Sequence, residues 1–323
     1  MSESNEKINE PKVLVVYNNK GGVGKTNLCV NLGEVLGSIY HKKVLLIDND
    51  AQNSLSFLCN MPINEYGALE HESGHPDLGS LIGNIQWDGL DAVPDFEDLR
   101  EAIVTPTYTK RVKVPNSMQW KDEVVNFSFD LLPGYNKDLS LVELMYVAPT
   151  DEPWILQDDN RRYARYLLKL VVDQIKKYFD YDYIIIDCPP SMAVLSISAL
   201  VAGGELIIPT SPDMLSVVGI NNIIMNLREL NRFVPDFHVL GILFNQYSGT
   251  KGDDRMVADV EQYGKESGIN VFHTRIPRVN QMKTVSSEEQ IGVLMKTKPY
   301  RMFRESIIAL AKEIMEKEKE NDA

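Results

Sequence analysis

The feature that most constrains this chain is a junction close to its N-terminus. The apolar, β-branched run Val13–Tyr17 stops at a glycine-rich turn, and directly after the turn Leu28, Leu32, Val35, Leu36 and Ile39 recur at helical spacing. That periodicity predicts an amphipathic helix starting near Thr26. A second apolar run, Val44–Ile47, follows and ends in Asp48. Strand, loop, helix and strand in this order form a βαβ unit, which requires a parallel sheet.

Further short apolar runs stand at Phe129–Leu132, Tyr183–Asp187, Glu205–Pro209 and Val239–Asn245. Helical patterns cover Arg161–Phe179, Leu195–Val201, Val217–Phe233 and Asp253–Ser267, with a last one over Tyr300–Met315 that frays into the charged tail 316–323. Strands that are apolar throughout are buried on both faces, so the expected fold is α/β: a single doubly wound, mostly parallel sheet with helices on both sides. One domain over residues 1–323 is expected, with a polar N-terminus at 1–10. The stretch 60–126 breaks the pattern with prolines, glycines and histidines. Asp95–Ile103 reads as a short helix there, and small helices or a hairpin are expected in the rest of this insertion, because a structureless loop of that length is unusual inside a domain.

Composition closes several doors. A net charge of −13 does not attract nucleic acid, so any DNA contact must come from a local basic patch. Three scattered cysteines, Cys29, Cys59 and Cys188, offer neither a CxxC pair nor a disulfide framework. No apolar run is long enough to span a bilayer and no secretory leader is seen, so a cytoplasmic location is expected.

The chemistry is concentrated in Lys20-Gly-Gly-Val-Gly-Lys-Thr26. Glycines between a strand and a helix let the backbone curl and aim N–H groups at phosphate oxygens, at the positive end of the helix dipole. Lys25 is placed to reach the β- and γ-phosphates, and the Thr26 hydroxyl to ligate Mg²⁺. The usual first glycine of a P-loop is replaced by Asn19, and a second lysine, Lys20, follows it.

This loop resembles the deviant Walker A motif of the ParA/MinD family of ATPases, closest to the Soj-like partition ATPases. Two further motifs agree with it. Leu46-Ile-Asp-Asn-Asp-Ala-Gln52 is similar to the family's switch I, with Ala51 in place of the usual proline, and Ile184-Ile-Ile-Asp-Cys-Pro-Pro-Ser191 is similar to its Walker B strand and switch II. The resemblance implies ATP and Mg²⁺ as cofactors and an ATP hydrolysis in which Lys20, Lys25 and Asp50 take part: Lys20 reaching the nucleotide of a partner subunit, Asp50 orienting the attacking water. It implies nucleotide contacts from Lys20, Gly21, Gly22, Val23, Gly24, Lys25, Thr26 and Asn27, and from Asn245, Pro277 and Arg278 around the base. Thr26, Asp48 and Asp187 are the implied metal residues.

The family's partition branch further implies a homodimer on ATP binding, non-specific DNA as a partner (with nucleoid association) and a centromere-binding protein as the stimulator. Lys296, Lys298, Arg301 and Arg304 form the best basic cluster for the DNA contact, Arg301 and Arg304 falling on one helical face. A MinD-like membrane cycle is the first alternative, but the tail Met315-Glu-Lys-Glu-Lys-Glu-Asn-Asp-Ala323 offers almost no apolar face to a bilayer. A metabolic ATP-dependent ligase on the same fold is the second, with the 60–126 insertion as a candidate substrate wall. A metal-cluster carrier lacks paired cysteines, and the tyrosine-kinase relatives' tyrosine-rich tail is missing, Tyr300 being the last tyrosine.

Overall fold

The computed structural model describes residues 10–61, 76–88, 93–115, 117–134, 139–140, 165–230, 237–279 and 298–321. Its centre is a seven-stranded sheet in the order β5-β2-β6-β1-β7-β8-β9. The strands are β1 (Lys12–Val16), β2 (Val44–Asp48), β5 (Asp130–Leu132), β6 (Tyr183–Asp187), β7 (Gly204–Thr210), β8 (Phe237–Tyr247) and β9 (Val271–Pro277). Every adjacent pair runs parallel. β2 and β6 are buried along their whole length. This follows from their Val/Ile/Leu runs, which leave no polar face for water.

Helices cover both faces. On one lie α3 (Leu78–Asp88), α5 (Leu167–Tyr178), α6 (Val194–Val201) and α7 (Met214–Leu230), with α8 (Lys251–Ser267) contributing Val257 and Val260. On the other lie α1 (Lys25–Ser38), the short α2 (Ser54–Leu58) and α9 (Lys298–Asn321). α1 is buried almost all round, from Leu28 to Leu36, because the sheet, α9 and the rings of Phe127 and Phe129 surround it. The polar side chains of this stretch are buried with it and hydrogen-bonded, Asn31 to Asn27 and Glu34 to Ser128.

Several boundaries differ from the sequence reading. α9 does not end at Met315 but continues to Asn321. The lysine–glutamate run is not a frayed tail: Tyr183 Oη donates to buried Glu318 Oε2 at 2.6 Å, and Lys317 Nζ donates to Asn270 Oδ1 at 3.0 Å. β9 appears where no strand was expected, because His273 and Arg275 interrupt its apolar pattern and it sits at the sheet edge. The helix expected over 161–179 is described as Leu167–Tyr178, and its first residues, 161–164, lie outside the described part.

Within 60–126 the expected short helix is present as α4 (Phe96–Ala102), opened by a capping box in which Asp95 accepts from Glu97 and Asp98 amides. The expected hairpin is there too: β3 (Thr107–Lys113) pairs antiparallel with β4 (Trp120–Asn126) as a separate two-stranded ribbon.

Candidate functional site

The C-terminal ends of β1, β2, β6, β7 and β8 converge on one edge of the sheet, where open α/β folds bind ligands. The loop 17–24 leaves β1 at this edge and enters α1. Gly24 is its hinge. It adopts φ 86°, and a Cβ there would sit 2.5 Å from the Asn245 side-chain nitrogen, so only glycine fits. Among the described residues no side chain caps α1, and no acid stands in its first turn, which leaves its leading N–H groups for an anion.

Three side chains, one from the loop itself and two from the end of β8, brace it. Asn18 donates to the Pro209 carbonyl on β7 at 2.8 Å and accepts from the Lys20 amide at 2.8 Å. Asn245, at the end of β8, donates to the Val23 carbonyl at 2.8 Å, and Gln246 donates to the Gly22 carbonyl at 2.6 Å. The Asn245 amide expected beside a base is therefore already engaged with the loop, its oxygen accepting from the Gln246 amide. Arg278 is exposed just past Pro277, the last residue of β9, and its amide donates to the Tyr247 carbonyl at 2.9 Å, holding both residues beside the end of β8. Asn27 turns its carboxamide oxygen back to Asn31 at 3.0 Å.

The two loop lysines are held in different ways. Lys25 is buried and lies across the loop, donating to the Asn18 carbonyl at 3.2 Å. Burial pulls its ammonium below the usual lysine range, opposed by the charges of Asp187 and Asp50. Lys20 reaches outward instead, to Asp213 Oδ2 at 2.7 Å, just before α7, where Asp213 also accepts from Ser211 Oγ. Both partners are more than a third exposed, so this pair contributes little to stability and opens easily.

Asp48 and Asp187 end adjacent strands in register and are fully buried. Ser56, in α2, donates to Asp48 through its amide at 2.8 Å and its hydroxyl at 2.6 Å. Thr26 hydrogen-bonds Asp187, whose second oxygen, Oδ2, is buried without a hydrogen-bond partner among the described residues. Burial drives Asp48 up to about 7; for Asp187 burial, then the charge of Asp48, gives about 8. Two crowded carboxyl groups, one with an orphaned oxygen, beside a threonine hydroxyl suit a hard divalent cation. Among the described residues no cluster of three or more His, Cys, Asp or Glu side chains forms a metal cage. Mg²⁺ needs none, since it is held by one or two carboxylates with waters and ligand phosphates.

Asp50 lies in the turn after β2, where its Oδ1 accepts from the Gln52 amide at 2.9 Å and its carbonyl from the Asn53 amide at 2.8 Å. These bonds hold the turn around buried Ala51, where the family's proline would otherwise stiffen it.

The chain is similar to known proteins over most of its length. The family described as an AAA domain matches residues 11–237. An uncharacterized protein of Pseudomonas putida is 30% identical over 83% of this chain and 81% of its own. The chain belongs to the ParA/MinD family of P-loop ATPases. The chromosome-partitioning ATPase Soj of Treponema pallidum is 27% identical over 83% of each chain. In three dimensions the Cyanothece McdA–ATP complex superposes with a TM-score of 0.65 at 20% identity, covering 95% of this chain and 96% of that one.

The structure thus brings Lys20–Thr26, Asp48, Asp50, Asp187 and Asn245 to one edge. Sequence reading missed Asn18, Ser56, Asp213 and Gln246, which touch the loop or its carboxylates from outside the motifs. The basic cluster is not confirmed as a patch. Arg301 and Arg304 are exposed on α9, but Arg301 pairs with Glu305 at 3.5 Å, and Lys296 and the side chain of Lys298 lie outside the described residues. Among the described residues no helix is long and apolar enough to cross a membrane.

Proposed function

We propose that this protein is a ParA-type ATPase that binds MgATP, dimerises through the nucleotide and hydrolyses it in a DNA-partitioning cycle. The observation that carries this reading is the division of labour between the two loop lysines. Lys25 is buried across the loop, where a bound β,γ-phosphate would replace its carbonyl partners. Lys20 is displayed at the rim on a weak ion pair that a partner's nucleotide can displace. A lysine supplied across a dimer would neutralise charge developing on the transferred phosphoryl group, as arginine fingers do. Mg²⁺, when bound, supplies charge neutralisation at the phosphates; Thr26, Asp187 and Asp48 are the residues that would hold it. Asp50 is the group that would orient water toward the γ-phosphate. The partition role is supported by the chromosome-partitioning Soj relative and by coverage that spans most of both chains. The DNA contact is proposed at the start of α9, around Lys298, Arg301 and Arg304, with Lys296 before it.

Size-exclusion chromatography with ATP tests the dimer, followed by DNA retention of each fraction at two salt concentrations. The parent protein is expected to shift to a dimer that retains DNA at low salt only. Lys25→Ala should lose nucleotide binding. Lys20→Ala should bind ATP and stay monomeric. Identical behaviour of the two variants would remove the cross-dimer role of Lys20, and a dimer that retains no DNA at low salt would remove the partition reading.

A further inference from the structure

Two side chains on one face of α1 reach the carboxyl group of Asp187. The Thr26 hydroxyl hydrogen-bonds it, and one turn further on the Cys29 thiol lies 3.8 Å from Asp187 Oδ1. Residues three apart on a helix share a face, so this pairing is built into the register of α1 against β6. Cys29 and Asp187 are both fully buried. Cys29 therefore acts as a small interior donor, its thiol kept protonated by burial and by the neighbouring carboxylates.

The two donors differ in what fixes them. Thr26 is half-buried at the mouth of the loop, and a cation would draw its oxygen. Cys29 lies deeper, locked among Leu28, Leu32 and the sheet, and its place does not depend on a ligand. A carboxyl group in such an interior takes the orientation its donors impose, because a buried polar atom left unsatisfied is costly. Oδ1 is turned toward α1, and Oδ2 is the oxygen left without a partner among the described residues.

We propose that Cys29 is a positioning residue for the cation site: its thiol pins Oδ1 of Asp187, so that Oδ2 is presented to the cation's water before nucleotide arrives. The proposal rests on the reading of Asp187 as a cation-holding residue. Groups that orient metal-holding side chains are worth about 10–100-fold in metal affinity. A thiol is a weak donor, so the effect belongs at the lower end, about tenfold.

The test is a Mg²⁺ titration of the full chain with a fluorescent ADP analogue, which avoids turnover and measures binding alone. Cys29→Ala is expected to need about tenfold more Mg²⁺ for half-maximal tight binding, with unchanged affinity in EDTA. Cys29→Ser, which keeps a donor at the same position, is expected to restore the parent's Mg²⁺ dependence. If Cys29→Ala titrates like the parent, the proposal is overturned. Equal weakening in the alanine and serine variants would also overturn it, since packing rather than the donor would then be responsible. A parent protein whose ADP affinity ignores Mg²⁺ would instead overturn the cation reading of Asp187, on which the proposal stands.

Discussion

Asp48 and Asp187 are Cα partners on β2 and β6, so strand register alone sets two carboxyl groups side by side in an interior without solvent. Ser56 offers Asp48 two hydrogen bonds, yet burial still holds it up near 7, and burial with Asp48's charge holds Asp187 near 8. Both values lie above the ordinary carboxylate value of 3.8. Between that value and the raised one, the folded chain keeps protons that the unfolded chain has released. Stability of the ligand-free protein therefore falls as pH rises through the window from about 4 to about 8. Asp187→Asn removes one member of the pair. In Mg²⁺-free buffer at pH 8 it is expected to be more stable than the parent by on the order of 1–3 kcal/mol, and so to unfold at a higher temperature, with the gap closing towards pH 4. Parallel melting curves across that range would count against a strained pair. The carboxylates themselves were legible, because each closes an apolar run. The groups that meet them and the loop lysine were not: Ser56 carries no motif of its own, and Asp213 meets Lys20 across 193 positions of chain only because β7 lies beside β1.

At the level of elements, the buried parallel strands were readable because burial on both faces demands unbroken apolar runs, as in Val44–Ile47 and Tyr183–Asp187. Sequence lost its grip where a strand has a wet side. β9 places His273 and Arg275 among its apolar residues, and β4 is exposed at every position from Trp120 to Val124. The end of α9 was obscured for a related reason, since a lysine–glutamate run does not announce that Glu318 will meet a tyrosine from β6. α1 shows how tightly such elements are locked once formed. Glu34 accepts from the Ser128 amide at 2.9 Å and from its hydroxyl at 3.2 Å, just ahead of β5. One turn later Gly37 passes so close that a Cβ there would lie 1.9 Å from the Ser128 carbonyl oxygen. Gly37→Ala must force α1 away from that backbone, and α1 carries the phosphate loop on its other end. A loss of about 1–3 kcal/mol or more is expected in urea unfolding. A variant as stable as the parent would mean that helix and strand can separate without cost.

Across the whole molecule, chemistry and elaboration are kept apart. The residues that brace the loop or hold its carboxylates come from β1, β2, β6, β7, β8, the turns that follow them, α1 and α2, whereas the β3–β4 ribbon leaves the body between α4 and β5. Its attachment is narrow. Thr107 and Asn126 face each other at its base, the Thr107 carbonyl accepts from Asn60 at 3.2 Å, and Tyr108 packs on Phe127 with ring centroids 4.9 Å apart. Beyond that base it exposes Met118, Trp120 and Val124, three large apolar side chains that stabilise nothing in the fold while they face water. Opposed residues of an antiparallel pair stand about 4.5–5.5 Å apart, so Asn-Gly in place of residues 108–125 can close the gap with a two-residue turn. The loss of the Tyr108–Phe127 contact should cost about 0.5–1.5 kcal/mol beyond the area it covers. The shortened chain is expected to unfold in one cooperative transition and to bind ADP and Mg²⁺ as the parent does, because Asn60 and Thr107, the link back to α2 and the Asp50 turn, are retained. Calorimetric unfolding with an ADP titration would check both expectations. A large fall in affinity would show that the ribbon supports the turn holding Asp50, and that the separation between site and insertion does not hold.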